Sequence, residues 1–271
     1  MTLNNIIRVS DLPSVADCSR RWMSRSRPAE VKAAGFDLRE MSSSIGAAIG
    51  TGTHAGLENA FRSKMEARVI EVESFRECAA ESIMESIKDG VIWDDATTNV
   101  DAAITQATRQ ARIIWDYFGD VIEPVAIEER LSADIGDGFI LRGHIDVREA
   151  ARVVDFKTGT VQRANQPQYG GYSLVARSNG HTVDAVAEIY SKRVGVTRDQ
   201  PAPTLTEYDI AESEIAAQEI YTRMKADILA FRERGDPWVF LPNPNSMNCS
   251  ENYCPAWGTS FCRAHKQPKA K

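Results

Sequence analysis

The sequence predicts an α/β (α+β) protein in which strands are flanked by helices. Three observations predict it. Apolar residues recur at helical spacing between about 50 and 118, Leu57, Phe61, Met65, Ile83, Ile87, Ile104, Ile113 and Trp115 among them. After Pro124 the pattern changes to apolar, β-branched runs parted by tight turns. A helical stretch then separates the third of those runs from a fourth, so the centre reads helix, three strands, helix, strand.

Taken in order, Ser10-Asp11-Leu12-Pro13 reads as a helix start, with Ser or Asp as cap and Pro in the first turn. That helix carries Cys18 and ends near Pro28. Residues 42–51, small and Gly-containing, read as a flexible approach to the helix of His54, and Asp89-Gly90 and Asp94-Asp95 interrupt the helical region. Strands are expected at 125–133, 139–147 and 152–157, with turns at Gly136-Asp137-Gly138 and Glu149-Ala150-Ala151. A helix over 166–178 has Pro167 in its first turn and Asn179-Gly180 as its stop. A strand at 183–192, a Pro-containing loop at 196–206 and a helix at 211–234 stopped by Gly235 follow. The tail from Asp236, rich in Pro, Asn and Cys, would fray without a staple.

The 271 residues can bury a substantial core, and 43% hydrophobic with 26% charged residues is a soluble, globular composition. No apolar run approaches the roughly 18–20 residues that span a bilayer. The N-terminus lacks the charged and apolar segments of a secretory signal, so no membrane and a cytoplasmic location are expected. Five cysteines, an odd number, point in a reducing compartment to metal or reactivity rather than disulfides. A net charge of −6 argues against nucleic acid unless the basic residues cluster. Arg20, Arg21, Arg25 and Arg27 follow Cys18, while Arg263, Lys266, Lys269 and Lys271 follow Cys262. One patch would result if the two chain ends were joined.

The chemistry concentrates in Gly143-His144-Ile145-Asp146-Val147 and Val153-Val154-Asp155-Phe156-Lys157. Alternation along a strand puts Asp155 and Lys157 on one face and Phe156 on the other. Hairpin pairing would set Asp146 beside Asp155. Two carboxylates so close repel unless a cation lies between them, and oxygen donors suit Mg²⁺ or Mn²⁺. His144, two residues before Asp146, shares its face, and one of Glu128 and Glu129 on the preceding strand should face the same surface.

This arrangement resembles the PD-(D/E)XK nuclease superfamily. Gly50-Thr51-Gly52-Thr53-His54 with Glu58 resembles the Gly…His helix of its RecB-like nucleases, and Gln168-x-x-x-Tyr172 their Gln-x-x-x-Tyr motif. Cys18 together with Cys249, Cys254 and Cys262 resembles the iron–sulfur exonuclease subgroup, which includes the CRISPR-associated four-cysteine exonucleases and AddB-type nuclease domains. The resemblance implies a restriction-endonuclease-like core, a central mixed sheet flanked by helices (αβββαβ). It further implies one nuclease domain over 1–271. Within it lie a cluster-binding helix (1–35), a helical region with His54 (36–122), a catalytic core (123–195), a long helix (207–235) and a cluster-binding tail (236–271).

On the same basis Asp146, Asp155, His54 and the Phe156 backbone carbonyl hold Mg²⁺ or Mn²⁺. Lys157 orients the attacking water, Gln168 lies near it, and Tyr172 lies near the DNA backbone. Glu58 supports His54 from one turn away. The thiols alone suit an iron–sulfur cluster or zinc equally. The resemblance favours [4Fe-4S], at spacings wider than the subgroup's, with Zn²⁺ as the alternative. Such a site would clip together segments more than 200 residues apart. Cys78, within a helical stretch, reads as a buried thiol.

The expected function is metal-dependent hydrolysis of DNA, as an exonuclease on single strands or free ends, in repair or recombination. Arg20, Arg21 and Arg25 are candidates to track phosphates, and Trp22 or Tyr172 to stack bases. No Gly-x4-Gly-Lys-Ser/Thr run occurs, so a helicase or recombination partner would be another chain. Two rivals stand beside this reading: a catalytically silent DNA-binding or assembly subunit, and a zinc-stapled structural protein.

Overall fold

The computed structural model describes residues 5–163 and 165–263. A short strand, β1 (Ile6–Arg8), leads into α1 (Leu12–Ser26) and α2 (Pro28–Ala33). Pro13 sits in the first turn of α1 as expected, but neither Ser10 nor Asp11 caps it: Asp11 instead accepts a hydrogen bond from Ser26 Oγ at 3.0 Å. The helix ends where Pro28 bars its predecessor from helical geometry, with Arg27 at φ −135°. Cys18 interrupts it, extended at φ −159° and ψ 101°.

Three helices form the next layer: α3 (Ile45–Met65), α4 (Val72–Ser86) and α5 (Val100–Phe118). Residues 45–51 are helix rather than a flexible approach, because Ser44 supplies a cap and accepts from the Ala47 amide at 3.3 Å. Gly52 lets α3 and α4 meet closely: a Cβ there would lie 3.0 Å from Ile83. Two strands of two residues, β2 (Ser43–Ser44) and β3 (Val91–Ile92), pair beside this layer.

The sheet contains β4 (Ala126–Asp134), β5 (Ile140–Arg148), β6 (Arg152–Gly159), β7 (Ala185–Lys192) and β8 (Thr204–Tyr208), together with β1. Its six strands are mixed in direction. The run β4–β5–β6 is antiparallel, as is β7–β8, whereas β6 and β7 are parallel across α6 (Gln166–Ser178). On one face Val154, Phe156 and Ile189 of the sheet pack with Phe61 of α3, Phe75 of α4 and Ile114 of α5. On the other, α1, α6 and α7 (Ile210–Arg234) cover Ile7, Leu141, Ile145, Val153 and Val186. The α6–α7 contact is backbone against backbone: a Cβ on Gly170 would lie 1.8 Å from the Ser213 carbonyl oxygen.

A mixed sheet flanked by helices is the architecture the sequence predicted. Two strands of this sheet escaped the reading, as did the two-residue β2 and β3. β1 is three residues long and pairs with a distant segment, and β8 is a partly exposed edge strand beginning inside the stretch expected to be loop. Among the described residues no helix is long and apolar enough to cross a membrane.

One irregularity of the sheet creates the site. β4 occupies one edge of β5 along its length, from Ala126 opposite Arg148 to Asp134 opposite Ile140. The other edge is shared: β1 pairs with Ile140, Leu141 and Arg142, whereas β6 pairs with Val147 and Arg148 alone. Between β1 and β6 the sheet forks, and residues 143–146 face the gap.

Candidate active site

Asp155 and Lys157 project from one face of β6, where the Lys157 ammonium lies 2.6 Å from Asp155 Oδ2. Phe156, between them, is buried on the opposite face and stacks on Phe61 with ring centroids 5.6 Å apart. Continuing the Val147–Val154 register would put Asp146 opposite Asp155, but the ladder stops one pair short. The Asp146 carboxylate fills the opening instead. Its Oδ2 accepts a hydrogen bond from the Phe156 amide at 2.7 Å, and its Oδ1 lies 3.4 Å from His54 Nδ1 on α3.

A third acid completes the group. On β4, Glu128 takes the left-handed conformation, φ +53°, which costs a non-glycine residue roughly 1 kcal/mol or more. Ligand atoms of His54, Glu128 and Asp146 all lie within 4.8 Å of one another. Sequence reasoning left open whether Glu128 or Glu129 would face the acids. The structure sends Glu129 away to a two-pronged pair with Arg148, at 2.6 and 3.0 Å. No sequence signal announces a glutamate in left-handed geometry, so alternation alone could not choose.

Burial and crowding set the charges. Burial pushes Asp155 up to about 6 against the pull of Lys157, with Asp146 repelling it further. Burial and the Asp146 charge push Glu128 up to about 7. Burial alone would lower His54, but the charge and hydrogen bond of Asp146 overcome it and carry the imidazole to about 9. Asp146 moves the other way: despite burial, His54 and then Lys157 hold it below the usual carboxylate range. Burial would lower Lys157 too, yet Asp155 and Asp146 raise it, so it remains an ammonium. Three acids and one imidazole around one opening can hold a divalent cation, and the oxygen and nitrogen donors suit Mg²⁺ or Mn²⁺.

Gln168 and Tyr172 stand beside this group on α6. Gln168 Nε2 donates to the Tyr172 hydroxyl at 2.7 Å and reaches Asp155 Oδ1 at 3.5 Å. Tyr172 is 4% exposed, so its ring forms a wall and is not free to stack on a base. His144 is exposed at the rim and pairs with Glu128 at 2.9 Å. Glu58 pairs with Arg62 on the helix surface and stays outside the group.

The family model of the PD-(D/E)XK nuclease superfamily matches residues 8–262. The chain belongs to the PD-(D/E)XK nuclease superfamily. No curated protein matches it significantly. Among solved structures, a protein of Eubacterium rectale described as a candidate exonuclease superposes with a TM-score of 0.51 at 13% identity, covering 82% of this chain and 79% of that one. That likeness is one of fold. SSO0001 (TM-score 0.35, 14% identity, 82% and 78% covered) and LHK-Exo in complex with dAMP (0.32, 9%, 68% and 96%) are too distant in shape to argue from.

In this PD-(D/E)XK nuclease Cys18, Cys249, Cys254 and Cys262 line one small pocket where α1 meets the tail. Burial pushes the Cys254 thiol up to about 11. Cys78 lies apart from them on α4, half-buried.

The residues expected to track DNA need correction. Arg20, Arg21 and Trp22 are buried, at 2, 8 and 2% exposure. Arg20 donates to the carbonyls of Phe240 and Phe261 at 2.9 and 2.8 Å, fastening the tail to α1. Arg27 is buried as well, bonded to Glu30 and to the Ile6 carbonyl. Arg25 alone of these remains exposed, in a separate groove with Trp93 and Tyr253. Of the expected basic patch, Arg20, Arg21 and Arg27 are therefore internal and Arg25 and Arg263 exposed, while Lys266, Lys269 and Lys271 lie outside the described residues.

Proposed function

We infer that this PD-(D/E)XK nuclease is a Mg²⁺- or Mn²⁺-dependent deoxyribonuclease acting as an exonuclease on single strands or free DNA ends. The observation that carries the reading is the meeting of His54, Glu128 and Asp146 within 4.8 Å, with His54 and Asp146 lining one cleft together with the Asp155–Lys157 pair. His54, Glu128 and Asp146 would hold the cation, with Asp155 and the Phe156 carbonyl completing the set. When bound, it would neutralise charge on the scissile phosphate and lower the pKa of water.

The chain's own groups supply the rest. Lys157 stays protonated, so it serves as a donor to the attacking water and to the charge growing on phosphate oxygens, not as a base. Gln168, held by Tyr172, orients Asp155. Exonuclease action draws support from the fold shared with the E. rectale protein and from the family resemblance of the motifs.

The four cysteines we assign to a [4Fe-4S] cluster that clips the tail to α1. Zinc, at about 2.3 Å from each sulfur, would draw thiolates to within about 4 Å of one another. The four cysteines line one pocket, and the resemblance to the iron–sulfur subgroup favours a cluster, which holds its thiolates farther apart than zinc does. The buried Arg21 Nε, with no hydrogen-bond partner among the described residues, is a donor available to sulfur. A clip across so long a loop would stabilise the fold by roughly 4–5 kcal/mol.

End-labelled single- and double-stranded DNA, incubated with Mg²⁺, Mn²⁺ or chelator, tests the activity. Stepwise shortening that needs the metal is expected, and intact DNA under every condition would overturn the reading. Anaerobically purified protein should be brown with absorbance near 400 nm. A colourless, zinc-loaded preparation would replace the cluster by zinc.

A further inference from the structure

The cleft holding the acids, about 650 Å³, has a second wall that the chemistry does not use. Along β5 the residues alternate: Ile140, Arg142 and His144 are exposed, while Leu141, Gly143 and Ile145 are buried in the core. Arg142 and His144 therefore stand in a line that runs to Asp146. Register adds neighbours on both sides, since Arg8 of β1 pairs with Arg142 and Arg130 of β4 pairs with His144. All four line the cleft. Arg8, Arg130 and Arg142 are exposed, and among the described residues none of them pairs with a carboxylate. In a chain of net charge −6, three unneutralised guanidinium groups lining one cleft make a local positive patch suited to a polyanion.

The size of the patch selects the polyanion. Three adjacent strands at about 4.8 Å and two residues along a strand at about 6.7 Å make an area of roughly 10 by 7 Å. That is narrower than the roughly 12 Å between backbones across a major groove, so it fits one backbone and not two. The acids it leads to are deep, Asp155 being 1% exposed and Asp146 9%. A strand must be separated from its partner to bring a phosphate down to them.

Resting on the nuclease reading, we propose that Arg8, Arg130 and Arg142 form the phosphate-binding ledge that feeds a single DNA strand into the cleft. It takes the role that buried Arg20 and Arg21 cannot fill. The arginines position the backbone and read no bases, so binding is indifferent to sequence.

The test is the salt dependence of binding to a labelled 20-nucleotide single strand, using full-length protein without added divalent metal. Each phosphate contact to a single strand contributes about 0.7 to the slope of log K against log salt. The triple variant R8A/R130A/R142A should lose about 2 from that slope and bind at least tenfold more weakly at low salt. The triple lysine variant, which keeps the charges, should retain the slope and serves if the alanine protein fails to fold. An unchanged alanine slope, a lysine variant that behaves like alanine while folded, or wild-type binding to duplex as tight as to single-stranded DNA would each overturn the proposal. Failure of the nuclease reading is distinguishable, because it shows as wild-type protein that cleaves nothing whatever its slope.

Discussion

The Asp146 carboxylate bridges α3 and β6 across the fork in the sheet, taking the Phe156 amide at 2.7 Å on one oxygen and facing His54 Nδ1 at 3.4 Å with the other. One side chain thus provides a structural hydrogen bond and a negative charge, and two substitutions separate them. Asp146→Asn keeps an acceptor for the amide and loses the charge. We expect cleavage to fall by at least about 100-fold with little change in melting temperature. Asp146→Leu leaves the amide unsatisfied as well and should cost about 1–3 kcal/mol in urea unfolding. Equal stability of the two variants would contradict this division.

Glu128 carries strain that serves the site. Glycine accepts a φ of +53° without penalty, so Glu128→Gly should stabilise the metal-free protein by up to about 1 kcal/mol. The same change should weaken Mn²⁺ binding by roughly tenfold or more. Unfolding curves and a Mn²⁺ titration read the two effects, and a destabilised variant with unaltered metal affinity would refute the trade.

Proton competition should shape the metal affinity. Without metal, Glu128 at about 7 and His54 at about 9 both hold protons below pH 7, His54 alone between 7 and 9, and neither above 9. A cation takes the deprotonated forms, so affinity should rise with pH, by up to about 100-fold per unit between 6 and 7 and about tenfold per unit from 7 to 9. Calorimetry with Mn²⁺ between pH 6 and 9 would show it, together with proton release. A flat profile would remove Glu128 and His54 from the ligand set.

Gly170 supports the site from behind. Its missing side chain lets α6, which carries Gln168 and Tyr172, touch the backbone of α7. Gly170→Ala must force the helices apart and should cost about 3 kcal/mol or prevent folding. A melting temperature within about two degrees of wild type would contradict the close contact.

What could be read from the sequence follows from the range of the interactions involved. The α6 and α7 boundaries were legible because Pro167, Asn179-Gly180 and Gly235 act locally, and the β5–β6 hairpin because alternation and a short turn are local too. Asp155, Phe156 and Lys157 were sorted onto their faces by alternation alone. The fork was not legible: it exists because β1, more than 130 residues away in the chain, takes the edge of β5 that β6 leaves. The inward turn of Glu128 depends on a backbone angle no composition reveals. Arg20 and Arg21 read as surface cations because nothing nearby in sequence shows that the tail folds over them.

The most direct test of the nuclease site is a comparison of wild type with Lys157→Ala on end-labelled single-stranded DNA in Mn²⁺, with melting temperature and Mn²⁺ affinity measured on the same preparations. The ammonium lies 2.6 Å from Asp155 and, having no lone pair to donate, is not itself a metal ligand. Cleavage should therefore fall by at least about 1,000-fold while the fold and metal binding persist. A folded, metal-binding Lys157→Ala protein that digests DNA at the wild-type rate would contradict the assignment of chemistry to this fork.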